Sequence, residues 1–188
     1  GKLVSTLVGA DQPALLAEPF VIWAGQNELG ALSGPELRGL EKFLKQGGVI
    51  VVDDLDPEKG AFGKSARREL HRVLPDSAPV KLDSGHVIYK SYYIVDRPVG
   101  RVLGPPQVEA IVRGKYAQVI FTSHDLLGAL ARTQGGSWAL EVEPGGPAQR
   151  EQAIRFAVNL AMYVLCSDYK DDQVHAPWIM RRRAKRRP

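Results

Sequence analysis

Residues 33–54, SGPELRGLEKFLKQGGVIVVDD, constrain the fold more than any other stretch of the chain. Ser33 supplies an N-cap hydroxyl, Pro35 suits a first turn where no N–H is needed, and Glu36 complements the positive end of a helix. Leu37, Leu40, Phe43 and Leu44 then form one apolar stripe opposite Arg38, Glu41, Lys42 and Lys45. Gly47 can take the left-handed conformation that stops such a helix. Val49 to Val52 follow as a β-branched run with no polar alternation, the pattern of a strand covered on both faces. Asp53 and Asp54 close that strand, at the edge where open α/β sheets usually bind ligands. A helix and a doubly covered strand in succession commit the chain to the α/β class.

The flanking sequence extends this pattern. Leu3 to Val8 and Phe20 to Ala24 read as two strands before the helix. Ala61 to Leu74 predicts a second amphipathic helix, with Phe62, Ala66, Leu70, Val73 and Leu74 inward and Lys64, Arg67, Arg68, Glu69 and Arg72 outward. Residues 76–106, rich in Gly, Pro and aromatics, read as a long loop with short pieces of structure. Val108 to Val112 and Gln118 to Thr122, around Arg113-Gly114-Lys115, predict an antiparallel hairpin in an otherwise parallel sheet. Arg150 to Cys166 predicts the last helix, with Ile154, Ala157, Val158, Ala161, Met162 and Leu165 on its core face. Gly135-Gly136-Ser137-Trp138 predicts a hairpin-like excursion anchored by the Trp ring.

At 188 residues and 44% hydrophobic content the chain suits one domain with a real core, over residues 1–168, followed by an extension at 169–188. Its single cysteine excludes an internal disulfide and any multi-cysteine metal site. The net charge of +4 belongs to the tail. Without Arg181, Arg182, Arg183, Lys185, Arg186 and Arg187, the remaining 19 basic side chains face 21 acidic ones. A nucleic-acid-binding surface across the body is therefore not expected. The tail, preceded by the apolar residues of Val174 to Met180, could meet a protein partner or an anionic membrane surface. A solvated terminus is the plainer use of such a run. No run approaches the length of a membrane span.

The segments EPFVIWAGQ, LEKFLKQGGVIVVDD, ARRELHRVLP, GHVIYKSYY, the hairpin into VIFTSHDLLGAL, and AIRFAVNLAMYVL occur in that order. Together they resemble the domain of unknown function 4159, within the wider group of class I glutamine-amidotransferase-like folds. The resemblance spans nearly the whole chain. It implies a flavodoxin-like three-layer sandwich whose sheet is mostly parallel with one antiparallel hairpin. It also implies a bacterial envelope or periplasmic setting, and a first helix that would precede the start of this chain. In amidotransferase-like enzymes a Cys sits in a strained strand-to-helix elbow. The matching position here reads Val52-Asp53-Asp54-Leu55, and Cys166 lies near the end of an apolar helix, where a buried structural thiol is expected. Glutamine hydrolysis is not expected.

With this fold, Trp23, Gln26 and Asn27, Asp53 and Asp54, and Ser123, His124 and Asp125 would converge on one sheet edge, with His86 reaching them from the long loop. Asp53, Asp54, His86 and His124 would make a chemically adequate set for a divalent metal or for acid–base work, although no fixed metal spacing is present. Each also has an ordinary structural use. The aspartates can cap the following turns, Ser123 and His124 can hold a loop, and His86 can pack on Tyr89 and Tyr92. Asp54 and Asp56 have the spacing of nucleophilic aspartates, without a downstream Ser/Thr or Lys motif. Neither a Walker string nor G-x-G-x-x-G occurs, so no nucleotide-binding signature is present and the cofactor is unknown. The expected function is a binding or scaffold module without a catalytic nucleophile. The alternative is a metal-assisted hydrolase using the acidic and imidazole cluster.

Overall fold

The computed structural model describes residues 6–184, with side chains to residue 166. Five strands form one mixed sheet in the order β1-β2-β5-β4-β3: β1 (Phe20–Gly25), β2 (Val49–Asp54), β3 (Val80–Lys81), β4 (Glu109–Arg113) and β5 (Tyr116–Thr122). β1, β2 and β5 pair in parallel, whereas β4 and β3 add antiparallel ladders. The helices are α1 (Gly34–Lys45), α2 (Ala61–Val73), α3 (Leu126–Leu130) and α4 (Gly146–Ala184).

α1 starts and stops as its sequence dictates. The Ser33 hydroxyl accepts from the Glu36 N–H, and the Glu36 carboxylate accepts from the Ser33 N–H at 2.8 Å, a reciprocal capping box. Gly47, at φ +87°, turns the chain out of the helix, and the Gly48 N–H closes onto the Phe43 carbonyl at 3.0 Å. Leu40, Phe43 and Leu44 are buried, each worth about 1.5–3 kcal/mol of removed apolar surface. β2 is buried along its whole length. Its period of two sends Ile50 and Val52 into a core with α1 and α2, and Val49 and Val51 into a second core with α3, α4 and residues 82–108. Helices thus cover both faces of the sheet.

The hairpin forms as predicted, with Gly114 at φ +63° in its turn and Arg113 opposite Tyr116. Residues 76–106 pack as part of the core. Leu82, Ile88, Tyr89, Val95 and Val99 are buried, β3 joins the sheet, and Asn159 of α4 clamps the segment. The Asn159 amide oxygen accepts from the Tyr92 and Tyr93 N–H groups at 3.1 and 2.8 Å, and its NH2 donates to the Tyr93 carbonyl at 2.8 Å. The Gly135–Trp138 excursion is closed by an Arg132 to Trp138 bridge, with the Arg132 and Arg150 guanidinium carbons 3.6 and 4.4 Å from the indole.

Several expectations need correction. Residues 6–9 form no strand, and Leu7 is fully exposed, while the rest of the predicted Leu3–Val8 strand lies outside the described residues. α4 turns Ala153, Phe156, Asn159, Leu160, Tyr163 and Val164 inward, about one residue out of phase with the predicted stripe. Leu165 and Cys166 are consequently exposed, so the thiol is not a buried one. Glu69 of α2 is buried rather than outward. Arg181, Arg182 and Arg183 are described only as helix backbone, and Lys185, Arg186 and Arg187 lie outside the described residues. Among the described residues no helix is long and apolar enough to cross a membrane.

Candidate functional site

The parallel ladders bring the carboxyl ends of β1, β2 and β5 side by side, with Gly25 opposite Asp54 and Asp53 opposite Thr122. Both aspartates are buried. One Asp53 oxygen accepts from the Thr122 hydroxyl at 2.7 Å and the Leu126 N–H at 3.1 Å, while the other accepts from the Leu127 N–H at 2.8 Å. Burial pushes its pKa up to about 6 against these three donors, and the nearby Asp125 charge pushes the same way. Asp54 points toward α2, accepting from the Asp56 N–H at 3.0 Å and the Gly63 N–H at 2.9 Å. A Cβ at residue 63 would lie 2.7 Å from an Asp54 oxygen, so glycine is needed there for the close approach. Asp125, at φ +51°, caps α3 through the Gly128 N–H at 2.9 Å and pairs with the Arg101 guanidinium. All three carboxylates thus satisfy the unpaired N–H groups that begin a helix or turn.

His124 is also occupied on both ring nitrogens. The Ser123 N–H donates to Nδ1 at 3.2 Å, which leaves Nε2 as the protonated nitrogen, donating to the Pro105 carbonyl at 2.8 Å. Burial holds its pKa below the ordinary value, helped by the Arg97 charge, so the ring is neutral at pH 7. Trp23 is half-buried, its ring edge-on to Phe62 at 6.0 Å, and Gln26 and Asn27 are exposed.

His86 does not join this group. Its Nδ1 accepts from the Ile88 N–H, and its ring lies 5.7 Å from Tyr163, whose hydroxyl meets the Ala117 N–H at 2.8 Å. Ala117 is the second residue of β5 and Thr122 its last, five residues or roughly 16 Å apart. His86 therefore belongs to the opposite end of the sheet, and the ring it meets, at a tilt of 55°, is Tyr163 rather than Tyr89 or Tyr92. Among the described residues no group of three His, Cys, Asp or Glu side chains is placed to hold a metal ion.

Sequence reasoning missed two polar features. The first joins the β1–α1 loop to α2. Ser65 accepts from the Leu29 N–H at 2.9 Å, Glu69 accepts from the Leu32 N–H at 3.0 Å, and Arg68 donates to the Leu29 carbonyl at 2.8 Å. Burial raises the Glu69 pKa, but the Leu32 N–H and the Arg68 and Arg72 guanidiniums outweigh it and hold the carboxyl below its usual range. Ser65, Glu69 and Arg72 lie at i, i+4 and i+7, a polar stripe beside the apolar one, and that spacing was the available signal.

The second is a cleft of about 240 Å³ beside the end of β5, lined by Arg67, Lys81, Pro105, Pro106, Gln107, Glu109, Phe121, Ser123 and His124. Its floor is the face that β3, β4 and β5 share, where Lys81, Glu109 and Phe121 stand in register. Arg67 of α2 forms one wall. Its guanidinium lies 4.0 Å from the Phe121 ring centroid and 2.6 Å from a Glu109 oxygen. The 105–107 segment forms the other. Of the predicted site residues only Ser123 and His124 border this cleft, because it depends on the two-residue strand β3, which leaves too short a pattern to read.

No curated protein matches the chain. The family model described as Domain of unknown function (DUF4159) matches residues 4–165, a span that takes in all five strands, the strand-end aspartates and the cleft, and the chain belongs to that family.

Proposed function

We propose that the domain is a binding or scaffold module, built on a flavodoxin-type, amidotransferase-like framework whose nucleophile position is filled by a structural aspartate. The observation that carries this reading is the use of the strand-end carboxylates. On the resemblance, the elbow of such a framework falls at Val52-Asp53-Asp54-Leu55, and both Asp53 oxygens already accept from Thr122, Leu126 and Leu127. A nucleophile or metal ligand needs a lone pair directed at the substrate or the ion. Asp54, Asp125 and His124 are likewise engaged by the protein's own donors and acceptors. A protein partner in a bacterial envelope setting is part of this reading, and it rests on the family resemblance.

The competing reading is metal-assisted hydrolysis. The raised pKa of Asp53 favours it, since a carboxyl that titrates near neutrality suits proton transfer. Elemental analysis and native mass spectrometry of the purified wild type and Asp54→Ala separate the two. The module reading expects no stoichiometric metal in either protein and a lower melting temperature in the variant. Stoichiometric metal in the wild type that is lost in Asp54→Ala overturns it.

A further inference from the structure

We propose that the cleft between α2, the β3–β5 face and residues 105–107 binds a carboxylate carried on a small planar apolar body. The inference rests on the reading of the domain as a binding module and supplies the ligand class. The lining carries two cations, Arg67 and Lys81, against the single carboxylate of Glu109. Arg67 is committed to Glu109 and to the Phe121 ring. Lys81 has no carboxylate partner, and the Ser123 hydroxyl and Gln107 side-chain amide, both on half-buried residues, make no hydrogen bond to the described residues. The cleft therefore holds one uncompensated positive charge and two further donor groups. The open apolar remainder is Pro105 and Pro106, since the Phe121 ring is only 4% exposed and lies under the Arg67 guanidinium.

Charge selects an anion, and the form of the donors selects a carboxylate. One ammonium with a hydroxyl and an amide suits a singly charged carboxylate, whereas phosphate sites usually converge several cations or backbone N–H groups. The two rigid proline rings favour a flat apolar body over a flexible chain. At about 240 Å³ the cleft lies below the range of drug-sized pockets, which limits the occupant to about one ring. The proline wall is preset. The His124 Nε2–H holds the Pro105 carbonyl at 2.8 Å, and the Arg97 guanidinium holds the Gly104 carbonyl at 2.7 Å, so little ordering accompanies binding.

The test is a titration of the whole domain followed by amide NMR, with benzoate as the probe, benzamide as its uncharged counterpart, and N-acetylphenylalanine as a model of a chain terminus. Benzoate is expected to shift the Lys81, Gln107 and Ser123 amides saturably with a Kd on the order of 1 mM at low salt. Benzamide should bind about tenfold more weakly or less, and Lys81→Met should weaken benzoate about tenfold with the remaining spectrum unchanged. Stronger binding of N-acetylphenylalanine assigns the carboxylate to a protein C-terminus, and stronger binding of benzoate to a free small molecule. Absence of saturable shifts, equal affinity for benzamide, or indifference to Lys81→Met overturns the proposal. Failure here in a domain free of metal leaves the module reading standing. Stoichiometric metal together with benzoate in the cleft overturns the module reading alone.

Discussion

Two polar neighbourhoods meet at Ser123, and they treat their hydrogen-bonding groups in opposite ways. On the strand-end side, Asp53, Asp54, His124 and Asp125 are each no more than 3% exposed, and every one of them is tied to backbone donors or acceptors. On the cleft side Lys81, Gln107 and Ser123 face solvent and leave their side chains unpaired by the protein. Burial explains the difference, because an unpaired polar group away from water costs about 1–3 kcal/mol whereas one in an open cleft is served by water until a ligand displaces it. The position of acidic residues at a strand end thus says little about whether their oxygens are open to solvent.

The comparison breaks most visibly at Asp54. Replacing it with Ala strands the Asp56 and Gly63 N–H groups, and urea unfolding should show a loss of roughly 2–4 kcal/mol. A loss below about 0.5 kcal/mol would mean that the carboxylate is not holding the α2 entry.

Asp53 sharpens the comparison through pH. Its folded pKa, about 6, lies above the 3.8 of a free aspartate, so the folded state holds the proton more tightly. The associated stability is fully present below about pH 3.8 and is lost as pH rises through about 6. With 1.36 kcal/mol per unit, wild type should lose roughly 2–3 kcal/mol relative to Asp53→Asn across that window. Parallel stability curves for the two proteins would show that the donors from Thr122, Leu126 and Leu127 offset the burial.

Gly63→Ala approaches the Asp54 contact from the other side. Its Cβ would have to displace an oxygen 2.7 Å away, and a loss of about 1–2 kcal/mol is expected, measured by thermal unfolding. That loss should largely vanish when Asp54 is already Ala, since the clash is then gone. The smallest effect belongs to the cleft, where Lys81→Met on an exposed strand should change stability by less than about 0.5 kcal/mol while weakening benzoate. A large loss of stability would make Lys81 structural.

What was legible in the sequence was local. The Ser33 and Glu36 cap, the Gly47 stop, the covered run of β2 and the Gly114 hairpin each depend on a few adjacent residues, and each appears in the structure. The aspartates of β2 were readable as caps, one of their two expected uses. The core face of α4 was harder, because Ile154, Val158 and Met162 form a second apolar stripe beside Phe156, Leu160 and Tyr163. The buried Asn159, Gln149 and Arg150 sit on the inner side, so polarity pointed the wrong way. His86 failed for a different reason. Its position depends on how the 29 residues between it and β5 route the chain to one end of that strand or the other, and no local pattern records that.

The Asn159 clamp turns helix length into a specification for a distant loop. Each residue advances a helix by about 100°, so a single insertion early in α4 would swing the amide away from Tyr92 and Tyr93 while every turn stayed helical. The aromatic run at 92–93 would then lose its mooring without any change in its own sequence. The count of residues in α4 up to Asn159 is held in register by a segment 66 positions earlier in the chain.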